Sequence, residues 1–208
     1  MIVAGRILLA ASVAVVGIAA TGTDSSGDTA VRSLRDPASF ASIDSEQARS
    51  QAIFSEMAKV FQHPRCLNCH PRTDTPTQGD VMIVHSPPVA RGPDNHGMPA
   101  MECSTCHGDS NMPLPTGEGS IPGDPHWSLA PREMAWAGRS VRQICEQVKD
   151  PARNGGKTLD EIVTHNREDH LVGWAWHPGA DRTPAPGSQD LFGRLTAAWV
   201  ASGAHCPD

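Results

Sequence analysis

The sequence predicts a mainly α chain with long irregular loops, folded around something other than its own side chains. Four stretches carry helical periodicity, and a central stretch of about 75 residues carries almost none. The apolar content is also thin. Of 208 residues 38% are hydrophobic, and the first 22 positions hold 16 of these. The remainder is about 34% apolar, low for a domain of this size that must build its core from side chains alone. Tyr is absent, and Phe and Trp number 4 and 5. Gly 19 and Pro 18 make the chain loop-rich without reaching low complexity. Such a chain is either partly disordered or filled by a group that is not an amino acid.

Taken in chain order, residues 1–22 read as a secretory signal. Arg6 supplies the positive charge, Ile7–Ala20 is a small and apolar run too short to span a bilayer comfortably, and Ala19, Ala20 and Gly22 offer cleavage points. An uncleaved N-terminal anchor is the alternative, and either one exports the rest of the chain. Residues 23–42 are polar and small-rich and predict a flexible tether. Residues 43–208 then form one domain. Within it, Ile53, Met57, Val60 and Phe61 mark a helix over Ser45–Gln62. Val141, Ile144, Cys145 and Val148 mark a second over Ser140–Lys149, with Ser140 and Gln143 as a capping box and Pro151 as the stop. Thr158 and Glu161 open a short third helix. Ser188 caps a fourth, striped by Leu191, Phe192, Leu195 and Trp199 and ended by Gly203. Between Pro64 and Arg139 no strand alternation stands out.

That aperiodic stretch contains Cys66-Leu67-Asn68-Cys69-His70 and Cys103-Ser104-Thr105-Cys106-His107. C-x-x-C-H is the attachment signature of c-type haem. Two thiols on one helical turn reach two adjacent vinyl groups and form thioethers, and the next residue turns its imidazole to the iron. Three other readings compete. Two C-x-x-C pairs 33 residues apart could make a four-thiolate zinc site. Six cysteines in an exported chain could form a disulfide framework. A thioredoxin-like pair would need a βαβ pattern that is missing. His after both pairs and the shortage of apolar side chains favour two covalently attached haem c groups, held by Cys66, Cys69, Cys103 and Cys106 with His70 and His107 as axial ligands.

On these ten residues the chain resembles dihaem c-type cytochromes, and that resemblance implies attachment outside the cytoplasmic membrane. A looser likeness covers most of the chain. Phe61-Gln62-His63-Pro64-Arg65-Cys66, Arg91-Gly92-Pro93-Asp94, Lys149-Asp150-Pro151-Ala152-Arg153-Asn154-Gly155 and Gly173-Trp174-Ala175-Trp176 followed by Pro178-Gly179 are similar to small bacterial proteins labelled isoquinoline 1-oxidoreductase subunit. The label carries no activity with it. Molybdenum hydroxylases of that name use other folds and cofactors, and none of their motifs is present.

The opposite axial ligands are less local. His85 lies between the motifs, 15 residues past His70. In dihaem cytochromes a His in that place commonly serves the second haem, so His85 ranks first. His165, on the flank of the short capped helix, ranks second. His63 is too close to Cys66 to reach the far face of its own haem but could reach the neighbouring one. Met98, in Gly97-Met98-Pro99, competes. Cys145 and Cys206 belong to neither motif and are expected to pair in an oxidising compartment. The five Trp residues are expected to pack, in part on porphyrin faces.

A formal charge of −6 argues against a nucleic-acid binder working through a basic face. It predicts instead a redox partner protein with a basic docking patch, and no stable membrane span once the signal is removed. The expectation is therefore a periplasmic or secreted electron carrier. The rivals are a haem enzyme with one open axial position (a peroxidase or small-oxyanion reductase), the electron-transfer subunit of a periplasmic dehydrogenase, and a zinc-binding module.

Overall fold

The computed structural model describes Met1 and residues 33–208. The signal segment and the first part of the tether, residues 2–32, lie outside the described residues. From Ser33 onward the chain departs from the expected tether. Leu34 and Phe40 are buried in the core, and Pro37–Phe40 forms a 3-10 turn capped by Asp36. Arg194 pairs with Asp36 and holds the turn against the C-terminal helix. Two large apolar side chains in this polar stretch are enough to dock it, which composition alone did not reveal.

The four expected helices form, and Ser140, Thr158 and Ser188 cap the last three as the sequence indicates. Helix α1 spans Glu46–Phe61 with Ser45 accepting from the Ala48 N–H. A short α2, Pro64–Leu67, follows and opens the first cysteine motif. Helix α3, Val141–Lys149, and helix α4, Leu159–Glu168, both carry complete capping boxes, Ser140 with Gln143 and Thr158 with Glu161. One turn, α5, covers His170–Gly173, capped by Asp169. Helix α6 spans Gln189–Ala201, and Gly203 just beyond it sits at φ +87°, a conformation that favours glycine.

Helix α6 is the centre of the helical half and packs on both α1 and α4. Phe54 and Phe61 stack at 5.5 Å between centroids, Trp199 leans on Phe54 and Phe192 meets Phe61 edge-on. Gly193 of α6 is where α4 comes closest. A Cβ there would stand 2.4 Å from Cβ of Arg167. A disulfide joins Cys145 of α3 to Cys206, with Cα atoms 5.6 Å apart, and ties the C-terminus back to the core.

The stretch between α2 and α3 has a different character. It holds three two-residue antiparallel pairs, which the sequence did not signal: β1 Thr77–Gln78 with β2 Ile83–Val84, β3 Gly97–Met98 with β4 Met101–Glu102, and β5 Met112–Pro113 with β6 Ser120–Ile121. Among its Ala, Val, Ile, Leu, Met, Phe, Trp and Cys side chains between 68 and 139, Leu129 alone is buried. Val81, Ile83, Val84, Met98 and Met112 are among those exposed. This half builds almost no side-chain core. One cavity lies mostly within it, and a second lies between it and the helical half.

Candidate functional site

The two Cys-x-x-Cys-His segments fold into the same turn. In the first, Cys69 N–H donates to the Cys66 carbonyl at 3.1 Å and His70 N–H to the same carbonyl at 3.0 Å. In the second, Cys106 and His107 donate to the Cys103 carbonyl at 3.2 and 2.9 Å. Residues at i, i+3 and i+4 of one helical turn share a face. Each turn therefore presents two thiols and an imidazole to one side.

Each segment lines its own cavity. The cavity of the second motif, about 500 Å³, is lined by Cys103, Cys106, His107 and His85, with Val81, Ile83, Met101 and Leu114 towards its mouth. The cavity of the first motif, about 390 Å³, is lined by Cys66, Cys69, His70 and His165, with His126, Met134 and Phe192. Cys69, Arg65, Leu129, Ser128 and Trp174 border both, so the cavities share a wall.

The imidazoles are held by a common device. His70 donates its Nδ1–H to the Met134 carbonyl at 2.7 Å, His107 to the Pro122 carbonyl at 2.7 Å, and His85 to the Pro87 carbonyl at 2.8 Å. His165 Nδ1 lies 3.3 Å from the Asp169 carboxylate. A donated Nδ1 proton leaves Nε2 as the lone-pair nitrogen, the arrangement that metal-ligating histidines take from their outer neighbours. Stacking fixes the ring planes as well. Trp136 lies on His70 at 3.4 Å between centroids and 2° between planes, and Trp127 lies on His107 at 4.8 Å and 20°. Trp127 in turn meets Trp174 edge-on at 4.9 Å.

Within the second cavity the His85 and His107 rings lie with centroids 6.0 Å apart and planes inclined at 61°. Two imidazoles on opposite sides of one metal ion, with bonds of about 2 Å and about 1.2 Å from nitrogen to ring centre, have centroids about 6 Å apart. The observed spacing is close to that of two imidazoles bound to one metal ion. His165 shares the first cavity with His70, but the ring stacked on His70 is Trp136. The other two candidates stand elsewhere. His63 caps α2, its Nδ1 accepting from the Arg65 N–H at 3.2 Å, and lines neither cavity. Met98 is 47% exposed on β3 and also lines neither.

Burial shapes the chemistry of these groups. It pushes the Cys66 thiol up to about 12, with Cys69 adding to the rise, and the Cys69 thiol up to about 11. It pulls His70 down to about 3, against the Met134 hydrogen bond, and lowers His107 against the Pro122 hydrogen bond. Both shifts favour the neutral imidazole. The four motif thiols are free. Among the described residues no three His, Cys, Asp or Glu side chains converge as a metal cluster. A haem iron asks less of the chain, because the porphyrin supplies four of its ligands.

Two features of the site were hidden in the sequence. The Trp–His stacks join residues 66 and 20 positions apart, with no local pattern to announce them. Arg65, beside the first cysteine, is 3% exposed, and nothing in the local sequence marks its burial. No protein-family model, no curated protein and no solved structure matches this chain.

Proposed function

We propose that the chain is an exported dihaem c-type cytochrome that carries electrons between redox partners. The observation that carries the reading is the pairing of His85 with His107 across a cavity whose wall also holds Cys103 and Cys106. Cys66, Cys69 and His70 would hold the second haem in the adjoining cavity, with His165 as the candidate opposite ligand. When bound, the two irons would supply one-electron ferric/ferrous chemistry.

The chain's own part is to hold and to insulate. Cys66, Cys69, Cys103 and Cys106 would hold both macrocycles through thioethers, and His70, His107 and His85, anchored on backbone carbonyls, would offer Nε2. The apolar walls would exclude water, and the shared wall would keep the two groups adjacent. Fixed side chains of this kind would leave little to reorganise when an electron moves. Partner recognition falls to an acidic surface, which suits a weakly associating, salt-sensitive partner with basic residues around its docking patch. Among the described residues no helix is long and apolar enough to cross a membrane.

A haem enzyme with an open axial position is the rival, and the inequality of the two cavities favours it: among the described residues, a second imidazole stands beside the motif histidine ring in the second cavity, whereas Trp136 covers that ring in the first. The test is mass spectrometry and electron paramagnetic resonance on the native exported product. Two covalent additions of about one haem mass each, with both ferric centres low-spin, support the carrier. A high-spin centre that binds cyanide supports the enzyme. Absence of both additions ends the haem reading.

A further inference from the structure

Arg65 stands in the wall shared by the two cavities, with 1% of its side chain exposed. One Nη2–H donates to Asp80. Its Nε is buried with no partner. Leaving a charged donor unpaired in the interior is costly, and native structures rarely do so without a reason. Nor does the local surrounding meet the need, because Asp80 is itself engaged by the backbone and hydroxyl of Thr183. The other orphaned guanidinium nitrogen, Nε of Arg91, lines neither cavity and lies 3.4 Å from the Asp74 carboxylate. Arg182 also borders the second cavity, but both of its terminal nitrogens are taken by Ser120, Asp181 and backbone carbonyls. Arg65 is therefore the cation at the cavities that retains buried donor capacity.

We infer that Arg65 anchors a carboxylate of the ligand, a haem propionate, through the Nε edge of its guanidinium. This rests on the dihaem reading and deepens it. Arginine suits the task because its planar fork offers Nε–H and a terminal N–H in parallel to one carboxylate. Asp80 takes one of the two Nη2 hydrogens, which sets the guanidinium plane and leaves the Nε–H and the second Nη2–H for the ligand. Arg65 acts here as a positioning residue. It also places a positive charge beside the porphyrin, which favours the reduced, less positive iron.

The experiment uses haem-loaded native protein, Arg65→Gln, Arg65→Lys, Asp80→Asn and the Arg65→Gln/Asp80→Asn double variant. Resonance Raman reads the propionate bending bands, which respond to hydrogen bonding at the carboxylate. Spectroelectrochemistry reads both midpoint potentials. Arg65→Gln should shift one propionate band and lower one midpoint potential, and the double variant should keep the band shift. Asp80→Asn alone should leave the band in place. If Arg65→Gln is not recovered with haem, Arg65→Lys must show the same band shift, because it keeps the charge and loses the fork. Unchanged propionate bands in haem-loaded Arg65→Gln or Arg65→Lys overturn the inference. So does a double variant that returns to native behaviour, because Arg65 then serves only Asp80. A native product with no haem at all fails differently, since it removes the dihaem reading first.

Discussion

His85 and His165 each line the cavity of one motif histidine, yet they are held differently. His85 is anchored on the Pro87 carbonyl and stands beside His107, while His165 leans on Asp169 at the rim of the first cavity. On the proposed reading, His85→Ala should convert the second-motif haem from low-spin to high-spin and lower its potential stability towards added ligands. Electron paramagnetic resonance before and after cyanide reads this, and an unchanged low-spin signal removes His85 from the ligand set. Free thiols give a second check on the haem-free polypeptide made in the cytoplasm. Cys106 is exposed, whereas burial raises Cys66 to about 12. At pH 8 the Cys66 thiolate is about one part in ten thousand, so iodoacetamide should label Cys106 well before Cys66, as peptide mass spectrometry would record.

The helices owe their ends to local chemistry and their arrangement to packing. Ser140 and Thr158 satisfy N–H groups that no helix can satisfy internally. Ser140→Ala should cost about 1 kcal/mol in urea unfolding, with the far-ultraviolet spectrum unchanged. At Gly193 the constraint is steric rather than conformational, because its Cβ would enter the Arg167 side chain at the closest approach of α4 to α6. Gly193→Ala should cost several times more than an average helix-surface change. The docked N-terminal turn depends on charge. A hydrogen bond from Arg194, and then the Ala38 N–H, hold the Asp36 carboxyl below its ordinary 3.8. Its contribution is complete above the unfolded value and fades as pH falls through the lower folded one. Thermal midpoints of the native protein and Asp36→Asn should therefore differ slightly at pH 7 and converge on acidification. A constant difference down to pH 2 would show that the charge of Asp36 is not what matters.

In the molecule as a whole, one half is a disulfide-tied helical core and the other a set of loops, with one cavity mostly inside the loops and a second between the halves. The disulfide closes 61 residues, for which chain entropy predicts roughly 4 kcal/mol. Reductant should lower the urea midpoint accordingly. The loop half, with Leu129 as its buried apolar residue between 68 and 139, has little to hold it without a bound group. Limited proteolysis of haem-free protein should cut within 71–135 and spare α1, α4 and α6. Haem-loaded protein should resist at the same sites.

How much of this was legible follows from the range of the interactions. Helix starts, capping boxes and the Gly203 stop are written within four or five residues, so periodicity and caps located them. The two cysteine motifs are equally local, and their turns follow from i, i+3, i+4 geometry. The cysteines left over from the motifs are the two that the disulfide joins. The three strand pairs escaped because two residues are too few for alternation. The docking of Leu34 and Phe40 escaped because a polar segment can still be held by two side chains. His85 and His165 could be named from the chain, but not which cavity each enters or how each is oriented. That depends on turns and wall contacts tens of residues away. The orphaned Nε of Arg65 is wholly a product of the fold, since burial on every side is a property of the surroundings and not of the residue.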